Sequence, residues 1–188
     1  MGAGDITELI RRFRDGDRDA EAPLLELLYP ELRTIASRLM KRERPGHTLQ
    51  TTALIHEAYI KIVGGRALSF EDRSQLLGLA SRVMRNLLTD HARSKKAHRR
   101  GGDLRRISID LFEPCVVNRA DEIITVHEAI EALAREDERC ARAIEGHYFG
   151  GLTEKELSAC LGVSSRTVRR DLDYAKAWVY DRLAQTAE

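Results

Sequence analysis

The segment from Gly151 to Arg170, GLTEKELSACLGVSSRTVRR, constrains the fold more than any other stretch, because it demands two short helices joined by a tight turn. Thr153 followed by Glu156 forms a capping box, which predicts a first helix from Thr153 with Leu157 and Leu161 one turn apart on its buried side. Gly162 ends it, since glycine takes the left-handed conformation at a helix C-terminus without steric cost, and Val163 can plug the angle between the helices. Ser164 is a good N-cap for the second helix, where Val168, Leu172, Ala175 and Val179 recur at three- and four-residue spacing as an inward stripe. Arg166, Arg169, Arg170 and Asp173 are left facing out. Arginines on the N-terminal half of such a helix suit phosphate oxygens and guanine edges in a major groove. The pattern predicts a helix-turn-helix whose contact residues are Ser165, Arg166, Thr167, Arg169, Arg170 and Asp173.

The 188 residues allow one large or two small domains, and 43% hydrophobic with 32% charged content fits a soluble, helix-rich chain. No run is long enough to span a bilayer, and the N-terminus lacks a basic-then-apolar signal layout. A cytoplasmic protein with no membrane insertion is expected. Cys115, Cys140 and Cys160 are odd in number and far apart, which points to buried thiols in a reducing compartment and not to a disulfide framework or a zinc site. The net charge of +1 hides segregation. Between Arg85 and Arg106 the charged residues are almost all basic, whereas from Asp121 to Glu145 carboxylates dominate. A polyanion would bind the first segment and avoid the second.

Apolar periodicity divides the chain into three parts: helices over residues 1–99, a linker over 100–120, and further helices over 121–188. Asp5 with Glu8 predicts a cap for a first helix carrying Ile6, Leu9, Ile10 and Phe13, stopping near Gly16. A second helix runs from about Ala22, with Leu24, Leu25, Leu28, Leu32, Ile35 and Leu39 inward, and ends before Pro45-Gly46. A third covers Thr51 to Val63 and stops at Gly64-Gly65. The fourth starts near Ser69 or Ser74 and carries Leu76, Leu77, Ala80, Val83, Met84, Leu87 and Leu88. Residues 106–112 alternate at period two. They read as an extended tether more readily than a strand, because nothing else in the chain offers a pairing partner. The fold class is therefore all-α, two small helical domains on an extended linker.

LLELLYPELR from Leu24, LIHEAYIKI from Leu54, the run from Phe70 through Asn86 to Arg93, and YFGGLT from Tyr148 together resemble a bacterial RNA polymerase sigma factor of the extracytoplasmic-function (ECF) group. The resemblance covers nearly the whole chain, in order. It implies an N-terminal domain that docks on core RNA polymerase and opens the minus-ten element of promoter DNA, and a C-terminal domain that reads the minus-thirty-five element through the residues named above. It further implies core-polymerase contacts at Leu54, Ile55, His56, Glu57 and Tyr59, and minus-ten contacts at Phe70, Arg82, Arg85, Asn86 and Arg93. A loop from Gly64 to Ser74 would close over a flipped base. Holding an opened strand needs cations along a groove and pockets for unstacked bases, and the three arginines with Asn86 fall on one broad side of the fourth helix.

Two departures stand out. Carboxylates usual just before the clamp-facing helix are replaced by Gln50, Thr51, Thr52 and Ala53. A phosphate on Thr51 or Thr52 would restore about −1.5 to −2 charge at a helix N-terminus, where the dipole favours an anion. A serine/threonine kinase therefore joins an anti-sigma factor as an expected regulatory partner, and simple capping by the threonines is the alternative. Second, Leu79 and Ser81 stand where the family often carries aromatics, leaving Phe70 as the nearest ring. His56-Glu57 lacks a second histidine at Ile60, so a zinc-protease motif fails. His91, His98, His127 and His147 suggest no metal site, and no enzyme chemistry or cofactor is expected. The rival reading is a stand-alone helix-turn-helix transcriptional regulator binding symmetric half-sites.

Overall fold

The structure is a computed structural model that describes residues 3–40, 51–64, 70–98 and 120–186, all of whose regular elements are helices. In chain order they are α1 (Ala3–Arg14), α2 (Glu21–Met40), α3 (Thr51–Val63), α4 (Arg73–His98), α5 (Ala120–Glu136), α6 (Glu138–Tyr148), α7 (Glu154–Leu161) and α8 (Ser165–Thr186), with a short 3-10 turn at Arg18–Ala20. The expected end of the second helix near Pro45, the loop residues 65–69, Cys115 and the tether at 106–112 lie outside the described residues.

One sequence expectation needs correction at a helix start. Asp5 does not cap α1, which begins at Ala3; it lies in the first turn, where its charge still complements the helix dipole. Glu8 pairs instead with Arg11 at 2.6 Å. α4 starts at Arg73, beside Ser74 as expected, but its cap comes from Asp72. The Asp72 carboxylate accepts the Gln75 amide at 2.9 Å, and the Gln75 side chain reaches back to the Glu71 amide, so a reciprocal cap sits between the two serines. α2 runs through Pro30, and burial of Leu24, Leu28, Leu32 and Ile35 on one face sustains it past a residue that costs an interior helix about 3 kcal/mol.

The remaining local signals appear as expected. Thr153 and Glu156 make both halves of the capping box, Gly162 adopts φ +67 at the end of α7, and the Ser164 hydroxyl accepts the Thr167 amide. Val168, Leu172, Ala175 and Val179 are all buried. Asp137 caps α6 by accepting the Cys140 amide, which separates α5 from α6.

Two apolar cores result. The first joins Ile10, Leu28, Leu32, Leu54, Ile55 and Met84 of α1 to α4, and continues into Ile123, Ala143, Leu152 and Leu157 of the C-terminal helices. The second belongs to α5, α6 and α8 alone, around Ile130, Leu133, Ile144, Ala175 and Val179. The N-terminal and C-terminal lobes thus share a packed seam in which α4 lies against α5, α6 and α7. Glycine makes the seam close: the Gly150 backbone sits beside the Ser81 hydroxyl, and the Arg38 guanidinium occupies the space a Cβ on Gly151 would need.

Candidate nucleic-acid interface

α8 is held at a fixed angle by polar contacts, one to a buried carboxylate, that the sequence pattern did not reveal. Asp171, on its inner side, accepts a two-pronged bond from Arg139 of α6 at 2.6 and 3.1 Å, and the Trp178 indole donates to Glu136 of α5. This bidentate geometry fixes orientation as well as distance. The outward face then presents Ser165, Arg166, Arg169, Arg170 and Asp173 to solvent, with Thr167 half-buried. Arg169 crosses the turn to Glu154 of α7 at 2.8 Å, and that pairing holds the Glu154 carboxyl below its ordinary range. Among the described residues Arg166 and Arg170 make no ion pair, so these two cations are available to a phosphate or a base edge.

The α4 residues expected to contact DNA are placed differently. Phe70 is 2% exposed in the larger core and offers no ring to solvent. Arg85 is 3% exposed; it donates to Glu145 of α6 at 2.8 Å, to Glu131 of α5 at 3.0 Å and to Nδ1 of His127. Arg82 donates to the other oxygen of Glu145 at 2.9 Å, and Arg93 meets Glu128 at 3.1 Å. Arg73 ties the lobes again, bridging Glu31 of α2 at 2.6 Å and Glu156 of α7 at 2.7 Å. The arginines do share one side of α4, as their spacing predicts. That side is covered by the acidic segment of the same chain. Asn86 points a buried Oδ1 that finds no donor among the described residues, and such an orphan costs about 1–3 kcal/mol.

His127 reports on this cluster. Burial, then the Arg85 and Arg93 charges, hold its proton affinity below the ordinary value, against the opposing pull of Glu131 and Asp90. An arginine donating to Nδ1 requires a lone pair there, so the imidazole is neutral in the closed seam. Because the folded value lies below the unfolded one, the stability from neutral His127 is complete above the unfolded value of 6.5 and is lost as pH falls. Glu131 acts in the same direction at lower pH: burial opposes ionisation, but its bond to Arg85 leaves the folded carboxyl below its usual range. Denaturant midpoints measured from about pH 7.5 to about 5.5 should therefore fall for the wild type and fall less for His127→Gln. Parallel profiles would remove His127 from the response.

On α3, Leu54 and Ile55 are fully buried and serve packing, and the Tyr59 hydroxyl donates to Glu21 of α2 at 2.9 Å, which together with burial pushes the phenol up. His56 and Glu57 face solvent. The sequence reading missed Ile60, a large apolar side chain 68% exposed on that outer side. The signal was present, since Ile60 falls outside the stripe formed by Leu54, Ile55, Ala58 and Ile62. Thr51 opens α3 half-buried and Thr52 is exposed, and the first turn contains no acidic residue.

Cys140 is buried, its thiol pushed up to about 12 by burial and by the Asp137 carboxylate, and half-buried Cys160 is shifted the same way by burial. Both are poor nucleophiles. Among the described residues no group of three or more histidine, cysteine, aspartate or glutamate side chains could hold a metal ion, and no helix is long and apolar enough to cross a membrane.

No curated protein matches the chain in sequence. The model of the ECF sigma factor family matches residues 3–185, nearly its whole length. The chain therefore belongs to the ECF sigma factor family, and is a sigma factor that binds RNA polymerase and DNA to direct transcription initiation.

Proposed function

We propose that the work of initiation is divided between the two lobes. The N-terminal lobe, residues 1–99, seats on core polymerase through the outer face of α3 and engages the minus-ten element through α4. The C-terminal lobe, residues 121–188, reads the minus-thirty-five element through α8. The observation that carries this reading is the pair of exposed cations Arg166 and Arg170, without an ion pair among the described residues, on an α8 held rigid by Arg139–Asp171. Base-edge contacts by such arginines are worth about 1–3 kcal/mol each. Run-off transcription with core polymerase on the protein's own upstream region tests it. The wild type should give a defined transcript and Arg166→Ala/Arg170→Ala should lose it by roughly tenfold or more. Symmetric half-site binding without polymerase would instead support a stand-alone regulator.

For polymerase docking, the exposed set His56, Glu57 and Ile60 replaces the buried Leu54 and Ile55 as the contacting residues, with the buried pair setting the helix in place. Control falls to an anti-sigma factor or to a serine/threonine kinase acting on Thr51 or Thr52. The reading for the kinase rests on hydroxyls at the start of a helix whose first turn lacks carboxylates. Thr52, being exposed, is the better acceptor. Thr52→Glu should tighten core binding by roughly tenfold, about 1.4 kcal/mol, over Thr52→Ala, with the Thr51 pair showing a smaller difference. Equal affinities across the set, measured by co-elution with core, would leave the threonines as caps only.

A further inference from the structure

α4, α6 and α7 border a cleft of about 250 Å³, against roughly 30 Å³ for a water molecule in the liquid, so it has room for a small organic molecule. Two glycines line it, Gly146 from α6 and Gly78 from α4. Packing explains the first. A Cβ on Gly146 would meet Leu157 at 2.8 Å and Leu152 at 3.3 Å, so the missing side chain lets those leucines lie flush against α6. Packing does not explain the second. A Cβ on Gly78 would meet no atom within 4 Å, and the residue has no positive φ to accommodate. Glycine inside a helix is weaker than alanine, because it loses more backbone freedom on folding and has no side chain to pack. What Gly78 does provide is access to the α4 backbone from the cleft.

The lining has two characters. Leu79, Leu152, Leu157 and Leu161 make one part apolar. Among the charged residues, Arg82 and Glu145 satisfy each other at 2.9 Å. Glu138 and Arg142 remain. They stand one turn apart on α6, in the order that favours an i, i+4 ion pair. Both are exposed, neither forms an ion pair among the described residues, and Arg142 lies beside the Cys160 thiol instead. The cleft therefore offers one anion, one cation and an apolar surface in a single small space.

We propose that this cleft binds a free α-amino acid with a branched or aromatic apolar side chain, its carboxylate on Arg142, its ammonium on Glu138 and its side chain between Gly78 and the leucines. A purely apolar molecule would leave both charges unused. A simple carboxylate or a simple amine would meet one of them and lie beside a like charge on the other. Side chains one helical turn apart have Cβ atoms about 5–6 Å from each other, a span that the two ends of one α-amino acid match. The site goes beyond the division of promoter work between the lobes and does not depend on it. A bound amino acid would touch α4 on one side and α6 with α7 on the other, and would stabilise the folded chain by mass action as its concentration rises.

The test uses the full chain with L-leucine and L-phenylalanine as probes, followed by isothermal titration calorimetry and by thermal unfolding. Isocaproate, which lacks the ammonium, and isoamylamine, which lacks the carboxylate, are the matched controls. At least one amino acid should bind saturably with one site per chain and raise the melting midpoint, and both controls should bind roughly tenfold or more weakly. Gly78→Leu, which fills the cleft with a good helix former, should abolish binding. Arg142→Gln and Glu138→Gln should each weaken it by roughly tenfold, and these exposed positions decide the matter if Gly78→Leu does not fold. Absence of saturable binding by both amino acids up to millimolar concentration would overturn the proposal. So would undiminished binding by folded Gly78→Leu or by both glutamine variants. Isocaproate or isoamylamine binding as tightly as L-leucine would overturn the assignment to an amino acid. Each of these failures leaves the promoter reading standing, since run-off transcription tests that separately.

Discussion

Glu145→Ala should destabilise the joined form by about 3–5 kcal/mol, because it strips the buried carboxylate from a guanidinium that has no route to water and leaves it only the half-exposed Glu131 as a charged partner. Both Glu145 and Arg85 are 3% exposed, and one glutamate serves two arginines. Arg82 is partly exposed and can turn to solvent when its acceptor goes. Arg85 cannot, so the least costly response is for the lobes to separate and let water reach it. Thermal unfolding should then change character as well as midpoint. If the lobes melt as one unit in the wild type, the loss corresponds to roughly 6–20 °C at about 2–4 °C per kcal/mol, and in the variant the lobes should melt in two steps. A double substitution to apolar residues, Arg85→Met/Glu145→Leu, should recover most of the loss, since a well-packed apolar pair is often no worse than a buried ion pair. A Glu145→Ala midpoint within a degree or two of wild type would mean that Arg85 is not confined as described.

Phe70→Ala should cost about 3–5 kcal/mol of N-terminal lobe stability, the usual size for removing a buried phenylalanine. Its ring is 2% exposed and packs just ahead of α4 into the larger core. Phe70→Leu keeps most of the volume and should cost roughly 1.5 kcal/mol or less. Separating the two variants distinguishes packing from base stacking. Stacking on a promoter strand would make both variants defective in strand capture with stability intact, whereas a core role makes only the alanine variant defective, through unfolding. Equilibrium denaturation of the pair, followed by circular dichroism, reads the difference directly.

Legibility from sequence tracked the range of the interaction. The capping box at Thr153 and Glu156, the left-handed turn at Gly162 and the inward stripe of α8 are set by residues within four positions of one another, so the sequence pattern and the structure coincide there. α3 was placed to the residue for the same reason. The start of α4 was legible to within a residue at Ser74, and only its capping residue, Asp72, went unread between the two serines. Phe70 and Leu54 are buried, which no short-range pattern announces. Family position implied contact surfaces, but whether an apolar side chain faces a partner or its own core depends on which helices lie over it.

The segregation of charge was plain in the sequence, a basic run followed by an acidic one, and it read as one segment that a polyanion would bind and another that it would avoid. By itself the sequence determined helices, caps, the exposed arginines of α8 and membership in a sigma factor family. Only the tertiary structure decided that the two runs meet each other. Arg85 and Glu145 are 60 residues apart, and no local rule relates them. Their pairing depends on the angle at which α6 crosses α4, which is set in turn by Ser81, Gly150 and the apolar residues beneath them.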